Sequence, residues 1–319
     1  MSEEIMDILS VVIGFLLLMS GGESLVQGAI RISDRLKVPK LLVGFTVVAI
    51  GTSLPELAVA LEAVRQEAAE IAIGSVIGSN IANVMLVLGT AAILGSFDDP
   101  ESGIERDAAA VIIATLIFLI FVLMGEIPFI GGVAMLVILV LYISYSYYIG
   151  MKEGDSGNIE DSWLPDSMYL AIPACFLGGV MIWFGATILV SGATGLAEKF
   201  GISEAIIGLT IVALGTSLPE LAVTVVAGLR GQGGVAIGNI FGSNLMNILG
   251  IIGTSSIVSG GMIVGSQFSE FYGIWMVLIT SGFVAFLIFR KINFSKNLGF
   301  LMISTYISYM AYLAYIGVI

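Results

Sequence analysis

The residues best equipped for chemistry in this chain are two glutamates set in identical apolar surroundings. Gly51-Thr-Ser-Leu-Pro-Glu-Leu-Ala-Val59 recurs letter for letter at Gly215 to Val223, carrying Glu56 in one copy and Glu220 in the other. An acid near the middle of a membrane costs about 2.5 to 3.5 kcal/mol even on lenient scales, so it faces a partner or a wet cavity. Two copies suggest that they face each other. Within one helix Thr52 and Ser53 lie four and three residues before Glu56, which puts all three side chains on one face. Pro55 lacks the N–H that the carbonyl of Gly51 would receive, so a backbone oxygen is freed beside the carboxylate. Thr216, Ser217, Pro219 and Glu220 repeat the set, with Gly215 as the freed carbonyl. Further along each half, Ser79 and Asn83, like Ser243 and Asn247, are four apart on a helix with closely spaced glycines. Every candidate ligand is an oxygen, which suits a hard cation such as Ca²⁺ or Na⁺. Two carboxylates balance one Ca²⁺ or two Na⁺ but not both loads at once, and mutual exclusion at one site gives exchange.

The elements that must position these residues are transmembrane helices. The chain is 58% hydrophobic and 11% charged, with a mean hydropathy of +1.06, whereas soluble domains carry about 25% charge. Histidine is absent and Cys175 is the single cysteine, which removes the raw material for soft-metal, haem, disulfide or histidine-based chemistry. Cys175 reads as a small apolar core residue. No positive segment precedes the first apolar run, so that run is expected to stay as a helix. Stretches near the 20 residues or so needed to span fall at 8–30, 40–64, 70–95, 107–125, 128–149, 168–197, 204–229, 234–259, 270–290 and 298–318. With the amino terminus outside, Arg31, Arg35, Lys37, Lys40, Arg106, Lys152, Arg230, Arg290, Lys291 and Lys296 all fall in inner connections, leaving Arg65 and Lys199 outside. That bias places both termini on the outer face of the cell membrane.

The chain also repeats itself at an offset of 164 residues: 42–59 match 206–223 at 13 of 18 positions, and Gly-Ser-Asn recurs at 78–80 and 242–244. Five helices per half is an odd number, so the second half enters the membrane in the opposite sense. The expected fold is therefore an all-α integral membrane protein of ten transmembrane helices in two inverted five-helix repeats, with the binding site near the midplane where they meet. Residues 1–150 form the first repeat, with its motif at 44–89. Residues 151–167 form a short acidic cytoplasmic linker too small to be a regulatory domain, and 168–319 form the second repeat, with its motif at 208–253.

The paired G-T-S-L-P-E segments, each followed by a G-S-N-x-x-N helix, resemble the alpha repeats of the Ca²⁺/cation antiporter superfamily, most closely its prokaryotic Na⁺/Ca²⁺ exchanger branch. The resemblance implies that Glu56 and Glu220 are the central carboxylates for Ca²⁺ or Na⁺, with Thr52 and Thr216 adding oxygens to the Ca²⁺ site. It further implies that Ser53, Ser217, Ser79, Ser243 and the carbonyls of Ala49 and Ala213 flank Na⁺ sites, and that Asn83 and Asn247 take the amide or acid positions. The first and sixth helices are then expected to slide across the rest. Some relatives carry aspartate where this chain has Asn247, an acid associated with K⁺ co-transport, so K⁺ independence is expected. Thr52-Ser53 departs from the G-N-A-x-E pattern typical of H⁺/Ca²⁺ relatives.

Other readings are open at this point. An H⁺-driven or K⁺-dependent antiporter is the near alternative, a Glu-ringed channel a more distant one. An intramembrane hydrolase using the two acids lacks a base. Ser79, Asn83, Ser243 and Asn247 could serve only as interhelical glue. Glu23 has Thr187 as its repeat mate, so symmetry gives it no central-site role; pairing with a polar neighbour is the leading reading, ahead of lining a pathway. Tyrosines 142, 145, 147 and 148 read as an interfacial belt, and Tyr306, Tyr309, Tyr312 and Tyr315 as a packing stripe. The acidic run Asp98 to Asp107 lacks EF-hand spacing and reads as a connector. No enzyme activity, cofactor or nucleic-acid partner is expected, only the bilayer, the transported ions and a monomeric assembly.

Overall fold

The computed structural model describes residues 3–96, 103–153, 163–200, 215–266, 268, 284 and 295–315. The expected span at 270–290 apart from residue 284, the opening of 204–229 as far as 214, linker residues 154–162 and residues 98–102 of the acidic run lie outside the described residues. The chain is a mostly helical integral membrane protein. Six of the described helices are long and apolar enough to cross a bilayer, and a bent pair makes a seventh.

The first helix, α1 (Glu3–Leu36), has 34 residues and overruns the expected 8–30 at both ends. At 1.5 Å per residue it is about 50 Å long, against a hydrocarbon layer of about 30 Å. The second span is broken. Helix α2 (Lys40–Thr52) and helix α3 (Leu54–Arg65) meet at an angle of 45°. Helices α4 (Ala69–Ile93), α5 (Ile104–Met124) and α6 (Phe129–Glu153) complete the first half. The second contains α7 (Met168–Lys199), α8 (Leu218–Leu229), α9 (Gly233–Ser259) and α10 (Lys296–Tyr315).

Wider π-helical turns interrupt α2 at Gly44–Val48, α4 at Asn83–Val87 and α9 at Met246–Ile252. Such turns cluster at functional sites because each displaces the side chains that follow it. Two short strands, β1 (Glu126–Pro128) and β2 (Gly261–Ile263), pair antiparallel with Ile127 opposite Met262. Gly125 and Gly260, at φ 78° and 75°, make the left-handed turns that lead into them.

Burial separates the helices into layers. The apolar window of α9 is 94% buried and that of α4 72%, while the windows of α1 and α6 are 22% and 28% buried. The two Gly-Ser-Asn helices are thus the centre, while α1, α5, α6 and α7 leave most of their apolar windows uncovered. Helices α1 and α7 pack antiparallel along a glycine ladder with seven-residue spacing. Gly14 opposes Gly185, Gly21 opposes Gly178, and Gly28 opposes Ala171, where a Cβ on Gly21 would lie 2.8 Å from the Gly178 carbonyl oxygen. Without a hydrophobic drive between helices in lipid, this close backbone approach supplies the packing. Cys175 is buried beside Gly28 in the same seam, as its core reading expected.

Ion pairs tie both ends of this bundle. Lys199 at the end of α7 meets Asp7 near the start of α1. At the other end Arg31 donates to the Leu164 carbonyl at 2.8 Å and Arg35 pairs with Asp166 at 2.7 Å. Tyr142 departs from the belt reading. Its hydroxyl donates to Asp107 at 2.6 Å, Arg106 donates to the same oxygen at 2.8 Å, and its ring meets Phe45 edge-on at 5.5 Å. Asp107 is therefore a buried structural acid at the start of α5 rather than part of a solvated connector. Tyr145, Tyr147 and Tyr148 are exposed as a belt requires, and Tyr306 packs into the core while Tyr312 and Tyr315 face outward.

Candidate functional site

The break between α2 and α3 comes from local chemistry. Ser53 adopts φ −89°, ψ 4°, and Ser217 adopts φ −92°, ψ 0°, close to the sparsely populated bridge region common in active sites. Pro55 and Pro219 stand at the second residue of the helix that follows, where a missing N–H costs nothing. Each glutamate consequently sits in the first turn of a new helix, where the positive end of the helix dipole favours a carboxylate.

Burial here is complete: Glu56 is 1% exposed and Glu220 0%. Thr52, Ser53, Ser79, Asn83, Ser217, Ser243, Asn247 and Ala49 are buried with them, and Thr216 is half-buried. Ala213 lies outside the described residues. Contacts cross between the halves. Ser53 donates to Glu220 Oε1 at 3.4 Å, the hydroxyls of Thr52 and Ser243 lie 3.3 Å apart, and Asn247 donates to Ser79 at 3.0 Å. The Ala49 carbonyl is engaged locally, accepting from the Ser53 amide at 3.0 Å and the Thr52 hydroxyl at 3.3 Å.

Reasoning from the sequence missed three asparagines. Asn83 donates to Asn244 Oδ1 at 3.1 Å, and its repeat mate Asn247 donates to Asn80 Oδ1 at 3.0 Å. The two bonds are images of each other under the 164-residue offset, so α4 and α9 cross as pseudo-symmetric partners. The repeated Gly-Ser-Asn was the available signal. Asn239, on α9, was missed altogether; its amide touches both Thr52 and the Glu220 main chain.

Many buried acceptors lack partners. Among the described residues, both oxygens of Glu56, Oε2 of Glu220, the Ser217 hydroxyl and the amide oxygens of Asn83 and Asn247 accept no hydrogen bond. Leaving a buried polar group unsatisfied costs about 1 to 3 kcal/mol, and more for a charged one. Unpaired acceptors of this kind suit a cation. Among the described residues no group of three or more acidic, cysteine or histidine side chains gathers in one place, so the negative charge rests on the two glutamates.

The family described as "Sodium/calcium exchanger protein" matches residues 6–148 and 170–315, which is most of both halves. The chain belongs to this family. Within it, the prokaryotic branch of the Ca²⁺/cation antiporters is the right place. The inner membrane protein YrbG of Escherichia coli strain K12 is 31% identical over 314 residues, 96% of each chain. The sodium/calcium exchanger MaX1 of Methanosarcina acetivorans is 30% identical over 294 residues, covering 79% of this chain and 83% of its own. The solved structure of the sodium/calcium exchanger from Methanococcus jannaschii superposes with a TM-score of 0.81 at 28% identity, over 97% of this chain and 98% of that one. Relatives of this kind are transporters, and the chain is a multi-pass membrane transporter rather than an enzyme.

Proposed function

We propose that the chain is a secondary antiporter that exchanges Na⁺ for Ca²⁺ at one buried site by alternating access. The observation that carries this reading is the pair of repeated segments in which a buried glutamate opens a new helix just after Ser53 or Ser217; among the described residues, three of the four carboxylate oxygens have no hydrogen bond. MaX1 and the Methanococcus jannaschii protein are sodium/calcium exchangers by name, and the chain matches them along most of its length.

Glu56 and Glu220 are the charged ligands in this reading. Thr52 and Thr216 add oxygens to the Ca²⁺ position, Ser53, Ser79, Ser217, Ser243, Ala49 and Ala213 complete the Na⁺ positions, and Asn83 and Asn247 contribute amides. One Ca²⁺ neutralises the two carboxylates, and so do two Na⁺. Either load restores the neutrality that a low-dielectric interior demands, so an empty site crosses poorly and transport of one ion is tied to return of the other.

The architecture proposed is ten helices in two inverted repeats, 1–150 and 168–319, joined by the linker 151–167. Both termini lie outside the cell membrane, and the protein works as a monomer. The pseudo-symmetric asparagine bonds support the inverted relation. Arg31 and Arg35 sit at one end of the α1–α7 bundle, as a basic inner face requires. The glycine ladder makes α1 and α7 one unit able to move across α2, α3, α8 and α9.

The test is Ca²⁺ uptake into proteoliposomes loaded with Na⁺ and diluted into Na⁺-free buffer. Uptake that requires internal Na⁺ supports the proposal. Uptake driven by a pH gradient alone assigns H⁺ coupling, and uptake with no counter-gradient assigns a channel; either overturns it.

A further inference from the structure

Asn239 lies on α9, fully buried, one turn before Ser243. Its Nδ2 donates to the main-chain carbonyl of Glu220 at 3.4 Å, and its Oδ1 accepts from the Thr52 hydroxyl at 3.1 Å. The partner atoms fix the orientation of the amide. A main-chain carbonyl only accepts, so the nitrogen must face Glu220 and the oxygen must face Thr52. Thr52 has one proton, and its shortest acceptor is Asn239 Oδ1 at 3.1 Å, ahead of the Ala49 carbonyl and the Ser243 hydroxyl, both at 3.3 Å. Donation to Asn239 leaves the lone pairs of Thr52 Oγ1 for the Ser243 proton or for a cation.

One side chain thus bridges the break of the first half and the carboxylate segment of the second. The 164-residue offset assigns Ser75 to the matching position of the first half. Ser75 is half-buried, and a serine side chain is shorter and has one donor where asparagine has two donors and an acceptor. The cross-brace therefore differs between the repeats, although the asparagine pairs at 80, 83, 244 and 247 are alike.

We infer that Asn239 is a positioning residue for ion exchange, clamping the Glu220 segment to the Thr52 break and holding the Thr52 oxygen as a lone-pair donor to the cation. Glu220 is thereby the preorganised carboxylate. Glu56, with no hydrogen bond on either oxygen among the described residues, is the one that adjusts to the ion. Ca²⁺ needs both carboxylates converging on a single ion, so the clamp matters more for Ca²⁺ than for Na⁺. The inference rests on the Na⁺/Ca²⁺ exchange proposed above.

The experiment measures Na⁺-driven Ca²⁺ uptake by purified wild type, Asn239→Leu, Thr52→Val and the double variant in proteoliposomes. Asn239→Leu keeps the volume and removes both hydrogen bonds, and the loss of two such bonds corresponds to roughly a tenfold rise in KM for Ca²⁺. The maximal rate stays within about threefold, and Asn239→Leu raises KM by a smaller factor in the Thr52→Val background than in wild type, because the Thr52 side of the linkage is already lost there. An unchanged KM, a collapse of the maximal rate at constant KM, or strictly additive effects would overturn the assignment. If Asn239→Leu is not recovered as a folded protein, Asn239→Ser, which imports the first-half residue, is judged by the same criteria. Absence of Na⁺-driven uptake in the wild type is a different outcome and would overturn the exchange reading itself.

Discussion

Gly242→Ala should damage the site without replacing any proposed ligand. Helix α9 crosses α2 at its π-helical turn, and glycines line the crossing. A Cβ on Gly242 would sit 2.6 Å from the Ala49 Cβ and 2.7 Å from the Phe45 carbonyl carbon, and one on Gly238 would sit 2.7 Å from the Phe45 nitrogen. Ordinary contact begins at 3.4 Å, so a single methyl must push the helices apart by about 0.8 Å or more at this point. Residue 242 adjoins Ser243, and the Thr52–Ser243 and Thr52–Asn239 bonds are already 3.3 and 3.1 Å long. An added separation of that size takes both beyond hydrogen-bonding range. Overpacking of this kind costs about 1 to 3 kcal/mol, equivalent to roughly a five- to 150-fold loss in an equilibrium such as ion binding. The assay is Na⁺-driven Ca²⁺ uptake across a Ca²⁺ titration, with thermal unfolding of the same preparation. Unchanged Ca²⁺ KM together with unchanged Tm would refute the claim that this glycine crossing sets the site geometry.

Other perturbations separate roles within the site from roles beside it. Glu56→Gln or Glu220→Gln keeps the shape and removes a charge, so each should abolish exchange, by at least about a hundredfold, while the protein still inserts and purifies; flux measurements showing near-normal transport in both would sink the site assignment. Asn247→Asp replaces a nitrogen that donates to Ser79 and to Asn80, both at 3.0 Å, so it should lower Tm and alter the cation or pH dependence of uptake. An ion and pH profile matching wild type would remove that inference. Glu23→Gln should be mild. Its carboxylate is held by Gln27, Trp163 and Arg230 at 3.1, 3.1 and 3.0 Å, but the arginine is 54% exposed, and such a pair contributes no more than about 1 kcal/mol. Ca²⁺ KM should stay within about twofold, and loss of exchange would instead place Glu23 on the ion path.

The sequence was most legible where a rare cost had to be met. A glutamate beside a proline in an apolar segment is expensive, so Glu56 and Glu220 stood out, and an exact repeat of their surroundings told where they should meet. Their burial and the matching backbone bend at Ser53 and Ser217 follow from the same residues. What the pattern concealed was everything that depends on which halves touch. Glu23 read as an acid with an unnamed partner because its repeat mate is Thr187, and that partner, Arg230, is more than two hundred residues away, at the end of α8. Tyr142 read as a belt residue because tyrosines crowd the end of α6, yet it turns inward to Asp107. Asn239 carried no signal in the repeat, because the repeat has serine there. Comparing halves highlights what they share and passes over what one half adds. The chemistry of exchange needs both kinds of residue: matched carboxylates so that the site serves either face, and unmatched braces such as Asn239 so that the two carboxylates need not behave alike.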